Sequence, residues 1–188
     1  MSEDYFVVAF GLNPWDYEKE YETAMKMAAD WHYQYGAYIY SESLRSYETG
    51  YPYTLTPLNI AFYKDKETHR LTNRKMWQWM IGESLMARPS FANKGWKRDV
   101  YLPKGKWMDF KTKKVYEGPV TLKAFENSMQ SMPVFVGGKG VLIRRDMQND
   151  DKFYAEIWPI SNQPIEYVYN HLDGVKKSKI TVNRKEWN

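Results

Sequence analysis

The feature that most constrains the fold is a change of pattern along the chain. Residues 14–50 carry apolar side chains at helical spacing, whereas residues 97–145 consist of short runs rich in β-branched and aromatic residues. Turn residues such as Gly137-Gly138 separate these runs. Pro103-Lys104-Gly105 interrupts two of them, which predicts a tight hairpin within residues 97–110. The pattern therefore predicts a largely helical front part followed by an all-β unit.

The front part begins with the continuous apolar run Tyr5–Phe10, which is typical of a strand buried on both faces in a parallel sheet. Asn13 as N-cap and Pro14 at the first helical position then predict a helix that ends at Gly50. Glycine inside a helix is unfavourable, so a kink or break is expected near Gly36. The apolar stripe of this helix comprises Tyr17, Tyr21, Ala24, Ala28, Trp31, Tyr35 and Tyr38.

After this helix the sequence predicts a second strand and then a short helix. The strand is expected within Tyr51–Phe62, which completes a right-handed β-α-β unit. A helix capped by Thr72 or Asn73 is expected to run through Met80 and stop at Gly82. Further strands are predicted at Val120–Phe125, Met132–Val136, Val141–Arg145, Phe153–Trp158, Ile165–Tyr169 and Ile180–Val182.

Composition excludes several functional classes. The chain has no cysteine, so it forms neither a disulfide framework nor a thiolate metal site. His32, His69 and His171 stand in no metal-ligand spacing, and we expect no metal and no cofactor. The net charge of +4 comes from basic residues interleaved with acidic ones, which argues against nucleic-acid binding because no continuous basic stripe results.

The chain as written also lacks the sequence signals of export. Its start, Met1-Ser2-Glu3-Asp4, is acidic and has no apolar core of a signal peptide. No apolar run approaches the roughly 18 residues that a membrane span requires. The expectation is a cytoplasmic chain without membrane contact, with the compartment of any larger parent protein left open.

Five blocks of sequence, spread in order over about residues 13 to 143, resemble glycoside hydrolase family 31. Tyr38-Ile39-Tyr40-Ser41 and the stretch from Glu48 to Leu58 are similar to the family's seventh barrel helix and eighth barrel strand. Gly82 to Pro89 resembles the run that leaves the barrel. The remaining blocks resemble the proximal C-terminal β-sandwich, and their motif residues are Arg98, Asp99, Tyr101, Pro103, Gly105, Trp107, Asp109, Phe110, Pro133 and Phe135.

The resemblance implies an α+β chain of three parts. Residues 1–82 are expected to form the last strands and helices of a (β/α)8 barrel. Residues 83–148 are expected to form the proximal antiparallel β-sandwich, and residues 149–188 the incomplete start of a further, distal β-domain. The strand Tyr5–Phe10 then has no preceding barrel strand to pair with. The expected partner is a missing upstream barrel, or a second copy joined through this open sheet edge.

The resemblance also implies a function for the parent enzyme. Family members are retaining α-glycosidases, which use two carboxylates about 5–5.5 Å apart. Both catalytic aspartates of the family lie upstream of the seventh barrel strand, so this chain is expected to lack them and to be inactive alone. The family's Arg-Asn-His run is not recognisable here, because Phe10 to Asn13 leads straight to Pro14-Trp15. The expected contact with α-linked carbohydrate is through the parent enzyme.

Some motif residues have two readings. Asn13 and Trp15 follow a predicted barrel strand, where barrel enzymes place substrate contacts, but a helix cap and a packed aromatic are the favoured roles. Asp99 and Asp109 are expected to fix turns, and Trp107 and Phe110 to belong to the core. The alternative function is a stand-alone accessory or carbohydrate-binding β-sandwich module without catalysis, in which aromatic residues such as Trp96, Trp107 and Trp158 stack on sugars.

Overall fold

The computed structural model describes residues 13–73, 77–89, 97–126, 128, 132–161 and 163–183. A 3-10 turn at Pro14–Asp16 precedes the α-helices α1 (Lys19–Thr49), α2 (Leu58–Ala61) and α3 (Lys66–Asn73). The strands are β1 (Thr56–Pro57), β2 (Trp79–Ile81), β3 (Leu85–Ala87), β4 (Arg98–Asp109), β5 (Val115–Phe125), β6 (Val134–Val136), β7 (Val141–Arg145), β8 (Phe153–Ile157), β9 (Ile165–Asn170) and β10 (Lys177–Val182). The predicted strand Tyr5–Phe10 and Trp96 lie outside the described residues.

The long helix α1 is continuous over 31 residues, so the expected break near Gly36 is wrong. Its second half is held by packing, since Tyr35 and Tyr38 on either side of Gly36 are buried, and this outweighs the low helix propensity of glycine. The predicted end is confirmed: Gly50 has φ +74° and its N–H donates to the carbonyl of Ser46 at 2.8 Å. In the described part of the chain, no helix combines the length and apolarity that a membrane crossing requires.

The start of α1 differs from the prediction. Asn13 precedes the 3-10 turn rather than α1, which begins at Lys19. The backbone N–H of Asn13 donates to the carboxylate of Asp16 at 2.7 Å. Pro14 and Asp16 therefore belong to a short, separate 3-10 turn. The same capping residues also begin longer helices, so the sequence alone did not distinguish the two.

Residues 51–82 fold differently from the predicted strand and helix. The predicted strand shortens to β1, after which Leu58 begins α2. The helix predicted through Met80 is wrong at its end, where Trp79–Ile81 form β2, while residues 74–76 of that prediction lie outside the described residues. Leu58 and Met80 are both buried in one apolar cluster, which favours the conformation that brings them together. Strand β1 pairs antiparallel with β2. The predicted β-α-β unit also needs the strand Tyr5–Phe10, which lies outside the described residues, so that unit stays a prediction. The barrel part of the expected fold stays a prediction.

The strands form antiparallel sheets. Six of them make one sheet in the order β1-β2-β3-β6-β4-β5, and β7-β8 and β9-β10 form two hairpins. The register places Met86 opposite Phe135, and both side chains are fully buried. The sheet runs from Thr56 to Val136 across the expected boundary between residues 82 and 83. This antiparallel arrangement agrees with the predicted β-sandwich, while the three-part division of the chain stays a prediction.

The hairpin expected at Pro103-Lys104-Gly105 is wrong. Strand β4 continues through these residues as an irregular bulge, in which Leu102 pairs with Val120 and Gly105 pairs with Gly118. A bulge tolerates proline, which has no N–H to donate, and glycine equally well, so the same residues that mark turns also mark bulges.

The actual turn between β4 and β5 lies at Phe110–Lys114. The Asp109 carboxylate holds it by accepting hydrogen bonds from the N–H groups of Lys111 at 3.0 Å and Thr112 at 2.5 Å. Asp109 therefore fixes a turn as expected. Asp99 instead lies in β4 and accepts from the N–H of Ala124 on the neighbouring strand at 3.0 Å, so its expected turn role is wrong.

Two apolar clusters hold these elements together. The first joins α2, β2, β3, β4 and β6, and its buried members are Leu58, Met80, Met86, Val100, Leu102, Trp107 and Phe135. The second packs the C-terminal half of α1 onto β7 and β9, with Tyr38 and Tyr167 stacked at 6.2 Å between ring centroids. Strands β7 and β9, from the last third of the chain, therefore cover the C-terminal half of α1.

Candidate functional site

A cleft of about 740 Å³ lies where six segments of the chain meet. The segments are the loop before β1, α2, the β2–β3 turn, the bulge of β4, and the loops that precede β7 and β9. Its lining combines aromatic rings with charged and polar side chains: Tyr51, Tyr53, Phe62, Glu83, Lys104, Lys106, Trp107, Lys139, Ser161 and Gln163. A volume of roughly 300–1,000 Å³ is typical of small-molecule sites.

The β2–β3 turn brings Glu83 to the cleft and depends on Gly82. Gly82 has φ +61°, and its N–H donates to the carbonyl of Tyr53 at 2.7 Å. A Cβ atom at this position would overlap the hydroxyl of Tyr38 and lie 2.8 Å from Cδ of Glu42. The turn therefore packs directly on α1, and only glycine allows both the conformation and the approach.

Glu83 forms ion pairs with two basic side chains, Arg45 and Lys139. Its carboxylate accepts from Arg45 at 2.6 Å and pairs with Lys139 at 2.8 Å. Burial alone would raise the pKa of Glu83, but the hydrogen bonds from Lys139 and Arg45 outweigh burial and hold that pKa below its usual value. The Arg45 guanidinium also lies 3.7 Å above the centre of the Tyr53 ring. Glu83 is thus ionised and fixed at neutral pH.

Behind this group, Glu42 is almost completely enclosed. It is 1% exposed, and one carboxylate oxygen accepts from the Tyr167 hydroxyl at 3.0 Å. The other oxygen lies 3.6 Å from the Arg45 guanidinium and makes no hydrogen bond to the described residues. Burial raises the pKa of Glu42, and the Tyr167 hydrogen bond and Arg45 oppose this only in part. Glu42 does not line the cleft, and its only ion pair with the cleft group among the described residues is this long one with Arg45.

Sequence reasoning missed Glu42, although a signal exists. Tyr35, Tyr38 and Glu42 follow one another at spacings of three and four, so Glu42 stands on the apolar stripe of α1. A carboxylate at such a position is buried and must be paired. The cleft itself was also missed, because its segments are far apart in the sequence.

The predicted substrate-adjacent residues lie away from this cleft. Asn13 caps the 3-10 turn before α1, as favoured, whereas Trp15 in the same turn is 69% exposed, so its favoured role as a packed aromatic is wrong. Neither residue lines the cleft. Their contact with substrate stays a prediction, since it requires groups beyond the described residues.

The motif residues of the sandwich have mostly structural positions. Trp107 is 2% exposed and its indole N–H donates to the carbonyl of Pro103 at 2.7 Å. Phe110 packs between Trp31 and Trp158, with ring centroids 4.5 Å and 5.1 Å away. Tyr101 donates its hydroxyl hydrogen bond to Asp65 at 2.6 Å.

The remaining motif residues lie in the sheet and beside it. Pro133 and Phe135 are buried, and Arg98 begins β4. Gly105 and Trp107 are the motif residues that reach the cleft. Among the residues that the structure describes, no cluster of histidines and carboxylates with the size of a metal site occurs.

Comparison with known proteins identifies the origin of this arrangement. Residues 50–142 match the family model described as the glycosyl hydrolase family 31 C-terminal domain. This part of the chain belongs to glycoside hydrolase family 31. The match covers the cleft-forming segments from Tyr51 to Lys139, together with all the motif residues from Arg98 to Phe135.

Curated relatives extend the similarity over more of the chain. Alpha-glucosidase 2 of Bacillus thermoamyloliquefaciens is 26% identical over 166 residues, which are 86% of this chain and 20% of that protein. The 1,6-alpha-glucosyltransferase of Sporosarcina globispora is 30% identical over 132 residues, which are 69% of this chain and 10% of that enzyme. The chain therefore spans a fifth or less of the length of these two relatives.

A solved structure of the family agrees with the fold. A Flavobacterium johnsoniae family 31 dextranase, solved with glucose, is 27% identical and superimposes with a TM-score of 0.75. The superposition covers 91% of this chain and 22% of the dextranase. The fold of this chain is thus similar to a portion of a much longer enzyme.

Proposed function

We propose that the chain is the C-terminal portion of a retaining α-glycosidase of family 31 and does not itself carry the catalytic carboxylates. The observation that carries this proposal is the superposition of 91% of the chain on 22% of the dextranase. In this proposal, residues 1–82 complete a (β/α)8 barrel and the antiparallel strands brace it. The substrate of the whole enzyme is an α-linked glycoside.

The carboxylates at and behind the cleft support the second half of the proposal. Retaining hydrolysis needs a nucleophile and an acid/base about 5–5.5 Å apart, both open to the scissile bond. Glu42 and Glu83 share the Arg45 guanidinium, but Glu42 is 1% exposed and is absent from the cleft lining. One accessible glutamate held by two cations is a structural ion pair, not a catalytic pair.

The surface of α1 supports an upstream partner. None of the buried residues of α1 precedes Tyr35, whereas Tyr21, Met25 and Trp31 are each more than a third exposed. Large apolar side chains clustered on one element indicate an interaction surface. In this proposal the surface receives the upstream barrel, and in its absence a second copy of the chain.

A chimaera tests the proposal. We would replace the matching C-terminal portion of the Flavobacterium dextranase with this chain and compare dextran hydrolysis with a dextranase truncated at the same point. The chimaera is expected to retain measurable hydrolysis and the truncated enzyme to lose it. An inactive, folded chimaera argues against the supporting role.

The isolated chain provides the second measurement. We expect no turnover of aryl α-glucosides or aryl α-xylosides above background. Turnover that disappears on the single substitution Glu83→Gln would show that the chain carries its own catalytic group.

The alternative of an independent sugar-binding module with tryptophan platforms gains no support from the described residues. Trp107 is 2% exposed and Trp158 is 7% exposed, so neither indole face is open for stacking. Trp96 lies outside the described residues.

A further inference from the structure

The charge of the cleft is not explained by its structural role. Its lining has three lysines, Lys104, Lys106 and Lys139, and one glutamate, Glu83. Glu83 is already shared by Lys139 and Arg45. Lys104 and Lys106 form no ion pair with any residue that the structure describes. The cleft therefore presents uncompensated positive charge.

The bulge of β4 keeps these two lysines available. Glu117 is opposite Lys106 on β5, yet the two side chains make no ion pair. Lys104, Gly105 and Lys106 are exposed, while the residues on either side of them, Pro103 and Trp107, are buried. The bulge thus projects a short cationic segment from an otherwise packed strand.

The rest of the lining suits a ligand with a compact, hydroxylated body. Tyr51 and Tyr53 place their rings 4.6 Å apart at one side, and Arg45 covers one face of Tyr53. Phe62 supplies apolar surface and packs against the buried Trp107, with ring centroids 6.2 Å apart. Gln163 adds an amide that both donates and accepts hydrogen bonds. Aromatic surface with a few convergent polar groups is the usual composition of a small-molecule site.

From this combination we propose that the cleft binds a small hydroxylated anion, namely a sugar acid or a sugar phosphate. Lys104 and Lys106 contact the carboxylate or phosphate group, and the tyrosines and Gln163 contact the body of the ligand. The site is independent of the proposed glycosidase role, because it is formed entirely by residues 51–163 of this chain. An inactive chimaera would leave the ligand binding of the cleft untouched. Likewise, absence of ligand binding would leave the supporting role in the glycosidase untouched.

Titration calorimetry of the 188-residue chain tests the proposal with four ligands. At an ionic strength of about 20 mM, where charge screening is weak, we expect glucuronate and glucose 6-phosphate to bind. Glucose, which lacks the anion, and inorganic phosphate, which lacks the body, are each expected to bind at least about tenfold more weakly. Glucuronate and glucose 6-phosphate together distinguish a carboxylate from a phosphate preference.

A charge-matched pair of variants locates the binding. The variant Lys104→Gln/Lys106→Gln is expected to lose on the order of tenfold in affinity, as two partly exposed ion pairs predict. The control Lys111→Gln/Lys176→Gln removes the same charge at exposed positions outside the cleft and is expected to bind like the parent. Thermal unfolding confirms that both variants fold.

Four outcomes would overturn the proposal. The first three are binding of glucose as tight as that of the anions, binding of inorganic phosphate as tight as that of glucose 6-phosphate, and equal affinity of the cleft and control variants. The fourth is that neither anion gives binding heat or raises the melting temperature at about 10 mM, which is ten times a Kd of about 1 mM.

Discussion

Glu42 and Glu83 contact the same guanidinium but respond to burial in opposite ways. Glu42 is enclosed and has a raised pKa, whereas Glu83 lies at the cleft and has a lowered pKa because Lys139 and Arg45 outweigh its burial. Linkage between protonation and folding turns each shift into a pH-dependent stability. The two residues are therefore expected to change stability with opposite sign as pH rises.

For Glu42 the folded-state pKa lies above the unfolded value of 4.5. Its stabilising contribution is complete below that value and is lost as pH rises through the folded-state pKa. Glu42→Gln keeps an acceptor for Tyr167 but cannot ionise, so it should gain on the parent by about 1 kcal/mol between pH 4 and pH 7. Urea unfolding at several pH values measures this difference. The exposed Glu166→Gln serves as control, and a pH-independent difference for Glu42→Gln contradicts the argument.

Glu83 gives the opposite sign, since its folded-state pKa lies below 4.5. Its stabilisation is present above the unfolded pKa and is lost as pH falls through the folded-state pKa. Because the side chain is 38% exposed, solvent screening limits the effect, and Glu83→Gln should cost less than about 1 kcal/mol at pH 7 and less still at acidic pH. The same urea series measures it. A cost that grows towards low pH would show that the ion pairs do not set the stability of this turn.

For single residues, the sequence predicts contacts with neighbours in the chain better than contacts with residues that are far away in the chain. Asp109 as a turn-fixing carboxylate follows from its neighbours in the chain. Glu42 and Arg45 depend on Tyr167 and Glu83, which lie 125 and 38 residues away. No local pattern contains that information, so the charged group behind the cleft was not predictable.

Among the elements, α1 and the β2–β3 turn show glycine in two different roles. A Cβ at Gly36 would meet nothing within 4 Å, so this glycine only weakens α1. Gly36→Ala should stabilise the chain by about 0.5–1 kcal/mol. Gly82→Ala should instead destabilise it by at least about 2 kcal/mol, because it combines φ +61° with overlap at Tyr38. Chemical denaturation measures the free energy of unfolding of both variants. Equal changes in the two variants would contradict the different roles of the two glycines.

The strand errors have one physical cause. Pro103 and Gly105 are compatible with both a turn and a bulge, and the choice between them is made by pairing with Val120 and Gly118 on another strand. Likewise, whether Leu58 continues a strand or begins α2 depends on its burial beside Met80. Local propensity predicted the class of these segments, and tertiary contacts decided their geometry.

At the scale of the whole molecule, one end of α1 is packed and the other is not. The buried residues of α1 lie from Tyr35 to Glu42, where β7 and β9 cover the helix. The preceding turns expose Tyr21 and Met25 at a spacing of four, on one face of the helix. A surface of this kind favours association when its partner is missing.

The isolated chain is therefore expected to self-associate through the first turns of α1. Size-exclusion chromatography with light scattering should give a mass above that of the monomer, increasing with protein concentration. Tyr21→Glu/Met25→Glu should restore the monomer without lowering the melting temperature, because neither side chain is buried. The matched control Tyr47→Glu/Val175→Glu changes two exposed apolar residues elsewhere and should leave association unchanged. A monomeric parent chain would mean that this face needs no partner, and the upstream-barrel proposal would lose its structural support at α1.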